Sequence, residues 1–121
     1  MKKRILIVDD EPNMLVTLTD IINTVGYETV TVENSSRAVE TAREQAFDVI
    51  LMDFRMEGLN GVETFREIRK IHPDVKVIFI TAYYHEGSVK DAIVEGAVGV
   101  CQKPLDIPQL LDYIKAAVGN T

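Results

Sequence analysis

The chain has 121 residues and a formal net charge of −6, and 46% of its residues are hydrophobic and 26% charged. This length suits one domain with a single core, and the composition is that of an ordinary globular protein. The acidic balance argues against nucleic-acid binding through this chain, because that requires a basic surface. No apolar run approaches the ~20 residues of a membrane helix. The run after the basic residues 2–4 is too short for a secretory signal, so we expect a cytoplasmic protein.

The chain offers few sulfur or imidazole ligands for a metal. Cys101 is the only cysteine, which excludes an internal disulfide and a thiolate cluster. It lies in an apolar stretch and is interpreted as a small buried residue rather than a nucleophile. His72 and His85 each lack a second ligand at metal spacing, so we interpret both as surface histidines.

Short β-rich runs alternate with helical stretches along the chain. The predicted strands are 4–8, 28–32, 49–52, 75–80 and 99–101. Between the first two, apolar residues from Met14 to Val25 recur at the spacing of one helix face, and Gly26 supplies a C-terminal stop. A second helix follows the polar segment 34–36, any residue of which could cap it, and extends to Ala46.

Three further helices complete the predicted pattern. The third begins at Asn60, where Glu63 three residues later forms a capping box, and His72 before Pro73 ends it. The remaining predicted helices are 88–95, which stops at Gly96, and 106–118.

Five strands that alternate with five helices require a parallel sheet covered on both faces. Right-handed crossovers leave few topologies. We therefore predict a single α/β domain over residues 1–121, a three-layer flavodoxin-like (βα)5 doubly wound parallel sheet with strand order 2-1-3-4-5. In that order the ligand crevice lies at the carboxyl ends of strands one and three, where the chain order reverses.

Polar residues follow four of the predicted strands at that edge: Asp9 and Asp10, Asp53, Thr81, and Lys103. Each alone could be an ordinary cap, strand-end or loop residue, Asp53 least easily, because a central strand rarely ends in acid. Neighbouring strands lie about 4.8 Å apart, so together these residues can share one ligand. Two carboxylates ~4 Å apart repel by about 4 kcal/mol at an effective dielectric near 20, so the cluster requires a cation.

Mg²⁺ is the favoured cation, because it takes one or two protein carboxylates and keeps its waters or a phosphate oxygen. Thr81 offers a hydroxyl donor, and Lys103 offers a compact positive charge that suits phosphate. The pattern indicates a phosphoryl-transfer site.

These residues carry a family resemblance that covers the whole chain in the correct order and spacing. The matching motifs are Ile5-Leu6-Ile7-Val8-Asp9-Asp10-Glu11, Asp53-Phe54-Arg55-Met56 with Gly61, Thr81-Ala82, Gly96-Ala97 and Lys103-Pro104. The chain resembles a response-regulator receiver domain of two-component signalling, similar to the chemotaxis regulators.

The resemblance implies a role for each site residue. Asp53 would accept a phosphoryl group from a phosphohistidine on a sensor histidine kinase or histidine phosphotransfer protein. Asp9, Asp10 and Asp53 would hold Mg²⁺ with the backbone carbonyl of Arg55, and Thr81 and Lys103 would bind the phosphoryl oxygens. The Lys103–Pro104 peptide would be cis.

The resemblance also implies a switch rather than an enzyme with a turned-over substrate. Phosphorylation would change the surface of helix four, strand five and helix five, and so control a downstream protein or an effector domain of a longer chain. No membrane or direct nucleic-acid partner is expected. One departure concerns Val100, which stands where the family commonly has Tyr or Phe, the aromatic that moves when the site is phosphorylated. Tyr83 and Tyr84 are nearby candidates for that role.

Three alternatives remain. A phosphohydrolase with an aspartyl-phosphate intermediate typically needs an acid two residues after the nucleophile, where this chain has Arg55. A flavin- or nucleotide-binding module would need a phosphate loop after strand one, where Asp9 and Asp10 would repel phosphate. A constitutive receiver used only for docking is the third.

Overall fold

The computed structural model describes residues 2–54, 60–82 and 86–119. The strands are β1 (Arg4–Val8), β2 (Glu28–Val32), β3 (Val49–Asp53), β4 (Lys76–Thr81) and β5 (Gly99–Gln102). The helices are α1 (Pro12–Thr24), α2 (Ser35–Glu44), α3 (Gly61–Ile71), α4 (Glu86–Val94) and α5 (Ile107–Ala117). Among the described residues, no helix combines the length and apolar character needed to cross a membrane.

The five strands form one parallel sheet in the order β2-β1-β3-β4-β5, which confirms the predicted topology. Val8 at the end of β1 lies opposite Val32 on one side and Met52 on the other. Thr81 at the end of β4 lies opposite Gln102. Because all strands run in one direction and end nearly level, the residues that follow them meet at a single edge.

The sheet is buried on both faces, so alternate residues of each central strand enter different halves of the core. In β1, Leu6 and Val8 pack with the side chains of α2 and α3, whereas Ile5 and Ile7 pack with those of α1 and α5. Fully burying one such aliphatic side chain contributes roughly 1.5–3 kcal/mol. The central strands are apolar throughout for this reason, and polar function is confined to their ends.

Side-chain caps begin three of the helices, and the sequence predicts two of them, in the segment 34–36 and at Asn60. The Oδ1 atoms of Asn34, Asn60 and Asp106 accept hydrogen bonds of 2.9, 2.9 and 3.1 Å from backbone N–H groups three residues later. Each bond satisfies a donor that the first helical turn would otherwise leave unpaired.

Most element ends lie within one residue of the prediction, but two helix ends and one side chain differ more. Helix α2 ends at Glu44 rather than Ala46, because Gln45 is extended (φ −152°, ψ 154°) and leads Phe47 into the core. Helix α4 begins at Glu86, two residues early. Val25 is 48% exposed, because it follows the last turn of α1 instead of facing the sheet.

Arg4 ties together the edge of the sheet opposite the strand ends. Its backbone N–H donates to Asp48 Oδ2 at 2.9 Å, and its guanidinium lies 3.6 Å from Glu28 Oε2 and bonds to Gln45 Oε1. The same guanidinium lies 5.5 Å from the centroid of the Phe47 ring, a cation–π distance. One side chain at the start of β1 thus contacts β2 and the segment that leads into β3.

Helix α3 starts in direct contact with the backbone of Asp53. Gly61 donates its N–H to the Phe54 carbonyl at 2.9 Å. A Cβ atom at Gly61 would lie 2.6 Å from the carbonyl oxygen of Asp53 and 3.0 Å from the Cα of Phe54. Only glycine allows this approach without displacing the end of β3.

We expect Gly61→Ala to lower the free energy of unfolding by about 1–2 kcal/mol, because the added methyl group must move the Asp53 backbone or the start of α3. Urea denaturation followed by circular dichroism measures the change. Ser36→Ala, at an exposed position in the first turn of α2, is the control and should change it by less than about 0.5 kcal/mol. Equal stability of the two variants would contradict the tight packing at Gly61.

Candidate functional site

The sheet brings the predicted acidic residues together at its carboxyl edge. Asp9 and Asp53 are buried, with 1% and 7% of their surface exposed, whereas Asp10 is exposed. One carboxylate oxygen from each of the three lies within 4.8 Å of the others. The cluster arises because Asp53 ends β3 and Asp9 and Asp10 follow the neighbouring strand β1.

Among the residues that the structure describes, Lys103 is the cation that faces this cluster. Its Nζ lies 3.3 Å from Asp9 Oδ2 and 3.5 Å from Asp53 Oδ2. Glu11 Oε2 lies 3.9 Å from the same Nζ, a contact that the sequence analysis did not predict. The acidic run after β1 could have indicated this contact with Lys103, because Glu11 directly follows Asp9 and Asp10.

The environment of Lys103 acts on its ammonium in two opposing ways. Burial lowers the pKa of Lys103, but the negative charges of Asp53 and Asp9, and hydrogen bonds to both, outweigh it. The net pKa is raised above its usual value of 10.5, so the side chain is cationic at neutral pH. The Lys103 ammonium therefore places a positive charge beside the side chain of Asp53.

Backbone hydrogen bonds hold the site residues in register. Lys103 N–H donates to the Thr81 carbonyl at 2.8 Å, which places the lysine one residue beyond β5 and beside the end of β4. Glu11 N–H donates to Asp9 Oδ1 at 2.9 Å and orients that carboxylate. Thr81 is 1% exposed at the end of β4. The Lys103–Pro104 peptide is cis, as predicted.

The donor set suits a hard divalent cation. Three carboxylate oxygens converge, and oxygen is the ligand type that Mg²⁺ and Ca²⁺ prefer. Asp10, the exposed member, leaves one side of the cluster open to solvent. Such a site can keep water ligands, as Mg²⁺ usually does.

Several other predicted residues can be located. Cys101 is fully buried, and burial, with a smaller effect of Asp106, raises its pKa to about 11. This confirms the small buried residue inferred from the sequence. His72 is half-buried, and its Nε2 contacts the Ala42 carbonyl oxygen at 2.6 Å, so it braces α3 against α2. Arg55, Tyr83, Tyr84 and His85 lie outside the described residues.

The place of Val100 bears on how the site could communicate with the surface. Val100 is half-buried, pairs with Phe79 across the β4–β5 ladder, and packs against the core half that holds α2 and α3. It fills the position with an aliphatic side chain that has no ring to rotate.

Comparison with known proteins decides the family. The model of the response regulator receiver domain matches residues 5–115. The chain belongs to this family. Receiver domains act in two-component and phosphorelay signalling, and they are regulatory proteins rather than conventional enzymes.

Relatives of different lengths match this receiver. Chemotaxis protein CheY of Thermotoga maritima is 37% identical over 115 residues, which are 94% of this chain and 96% of that protein. Transcriptional regulatory protein ZraR of Klebsiella oxytoca is 33% identical over 117 residues, which are 97% of this chain but 26% of that protein. This receiver therefore spans about a quarter of the length of ZraR and nearly all of CheY.

A solved structure with a similar fold is a complex with Mg²⁺-BeF. Response regulator protein TrrA of Thermotoga maritima, in complex with Mg²⁺-BeF, superposes with a TM-score of 0.85 at 35% identity. The match covers 95% of this chain and 98% of that one.

We expect Asp10→Asn to raise the free energy of unfolding by about 1 kcal/mol in metal-free buffer, because it removes one of three mutually repelling carboxylates. Urea denaturation with a chelator present measures the change. The gain should shrink in 1 M salt, where the screening length falls to about 3 Å. The exposed Asp20→Asn on α1 is the control, and an Asp10→Asn variant no more stable than the wild type would contradict the repulsion.

Proposed function

We propose that this receiver accepts a phosphoryl group on Asp53 from a phosphohistidine of a sensor histidine kinase or a histidine phosphotransfer protein. The observation that carries the proposal is the Asp53 carboxylate itself. It is nearly buried, lies 3.5 Å from the Lys103 ammonium and is grouped with Asp9 and Asp10.

Asp53 acts as the nucleophile in this step. One of its carboxylate oxygens forms a bond to phosphorus while the bond from phosphorus to the donor's imidazole nitrogen breaks, and the imidazole leaves with the electron pair of that bond. Phosphoryl transfer requires little covalent chemistry from the protein, so positioning and charge stabilisation supply most of the catalysis. The fixed end of β3 meets that need, because Gly61 packs against the Asp53 carbonyl.

Lys103 and Thr81 would bind the transferred group. Lys103 already lies between Asp9 and Asp53, so a small movement of its ammonium reaches an oxygen attached to Asp53. Thr81 ends the adjacent strand and offers a hydroxyl donor. Together they supply positive charge and a hydrogen bond where negative charge increases.

Asp9, Asp10 and Asp53 would hold Mg²⁺, with the Arg55 backbone carbonyl as the further ligand that the family resemblance implies. When bound there, the ion would supply positive charge to the phosphoryl oxygens. Asp9 suits this role because the Glu11 N–H fixes its carboxylate, and Asp10 suits it because it faces solvent, from which the ion arrives.

The output is a change of surface. The phosphoryl group itself carries a charge of about −1.5 to −2, which replaces the single charge of the Asp53 carboxylate and draws Thr81 and Lys103 towards it. Because Lys103 follows β5 directly and Thr81 ends β4, the movement reaches the surface of α4, β5 and α5. That surface would then control a downstream protein, or an effector domain where the receiver is part of a longer chain.

Incubation with acetyl phosphate and Mg²⁺, followed by intact-protein mass spectrometry, tests the acceptor. The wild type should gain one phosphoryl group, Asp53→Asn none, and Asp10→Asn much less at limiting Mg²⁺. Asp74→Asn, an exposed acid at the opposite end of the molecule, is the control and should label like the wild type. Undiminished labelling of Asp53→Asn, or an unlabelled wild type, would overturn the proposal.

A further inference from the structure

Glu95 is the most deeply buried acidic side chain outside the site, among the residues that the structure describes. It follows the last residue of α4 and is 8% exposed. Its carboxylate bonds to Arg66 Nε, with Oε1 at 2.5 Å and Oε2 at 3.2 Å. Charged groups are rarely this buried unless they are paired, so the placement of Glu95 requires its partners on α3.

Arg69 completes the contact with two further interactions. Its Nη1 donates to the Glu95 backbone carbonyl at 2.6 Å, and its Nη2 lies 3.8 Å from Oε2. The side-chain hydrogen bond to Glu95, with the charge of that carboxylate, raises the pKa of Arg66. We call these three residues, Arg66, Arg69 and Glu95, the α3–α4 clamp.

The clamp is a polar contact across a gap between the two helices. A groove of about 390 Å³ separates them, lined by Phe54, Val62, Arg66, Val94 and others. Val94 is 80% exposed on the α4 side of this groove. Ala92 anchors the last part of α4 in the core, and the clamp adds a polar contact at Glu95, the residue that follows the helix.

A column of aromatic rings connects the clamp to the strand ends. Arg69 lies 5.0 Å from the centroid of the Phe65 ring. Phe65 meets Phe79 edge-on at 6.2 Å, and Phe79 meets Phe54 at 5.3 Å and 68°. Phe54 is the residue after Asp53, and its N–H donates to the Ile80 carbonyl at 2.8 Å.

The column therefore runs from Phe54, the residue after the proposed acceptor Asp53, to Arg69, which contacts Glu95. Close-packed cores respond to a shift at one point by rearranging between discrete arrangements rather than by continuous deformation. Gly61 adds rigidity at the start of this path, because α3 rests on the Asp53 carbonyl. Val100 lies on the same core face but contributes no ring.

We propose that the α3–α4 clamp and the Phe54–Phe79–Phe65 column couple the state of Asp53 to the position of the C-terminal end of α4. The inference rests on the proposed phosphorylation of Asp53 and supplies the route by which it is reported. Coupling of this kind is reciprocal. If the state of Asp53 changes the position of α4, then a variant that loosens α4 must change the affinity of the site for a phosphoryl analogue.

Amide NMR with Mg²⁺ and beryllofluoride, a phosphoryl analogue, tests the coupling. In the wild type, shifts should appear at Phe54 and Thr81 in the site and also at residues 91–96 at the end of α4. In Glu95→Gln, which keeps the shape but removes the charge, the site shifts should remain while those of 91–96 fall at least about five-fold. The apparent beryllofluoride affinity should change by about five-fold or more in either direction.

Three further variants keep the test decisive. Glu44→Gln makes the same charge change at an exposed residue of α2 and should behave like the wild type. If Glu95→Gln fails to fold, Arg66→Gln breaks the shortest contact of the clamp from a side chain that is 58% exposed. Phe54→Leu interrupts the column and should also reduce the shifts at 91–96.

The outcomes separate the two proposals. A wild type without site shifts would overturn the proposed function. Site shifts with full α4 shifts and unchanged affinity in Glu95→Gln would overturn the clamp and leave the function standing. Site shifts in a wild type whose residues 91–96 do not respond would overturn the clamp as well.

Discussion

One ammonium group faces an excess of negative charge at the edge of this sheet, and the site depends on that imbalance. Lys103 lies within 3.5 Å of Asp9 and Asp53, while Asp10 stands close by without its own cation among the described contacts. Such a cluster is under electrostatic strain that a divalent ion relieves. The Lys103 ammonium already lies beside Asp53, the proposed acceptor, and offsets part of that repulsion.

Much of the architecture could be predicted from periodicity and strand ends. The apolar strands, the caps at Asn34 and Asn60 and the acids after β1 and β3 are local signals, and each is found where the pattern placed it. The convergence of Asp9, Asp10 and Asp53 followed from the strand order alone, because parallel strands end at one edge. The end of α2 was less predictable, since Ala46 continues the helical spacing although Gln45 is already extended.

Contacts between side chains far apart in the sequence left no such local signal. Glu95 reads as an ordinary solvent-facing acid near a helix end, and its partners Arg66 and Arg69 stand on a different helix, 29 and 26 residues away. The ring contacts of Phe79 were equally hidden, because an apolar pattern shows that a residue is buried but not which neighbour its ring meets. The clamp and the column are therefore visible only in the three-dimensional structure.

The contacts of Arg4 and the acidic cluster lie at opposite ends of the strands. Arg4 joins β1 to Glu28, Gln45 and Asp48 at the edge of the sheet farthest from the acidic cluster. Evolution can therefore exchange residues around Arg4 without touching the acidic cluster. Protein engineers have the same freedom, and a sensor built on this scaffold would best carry its stabilising changes at the Arg4 end.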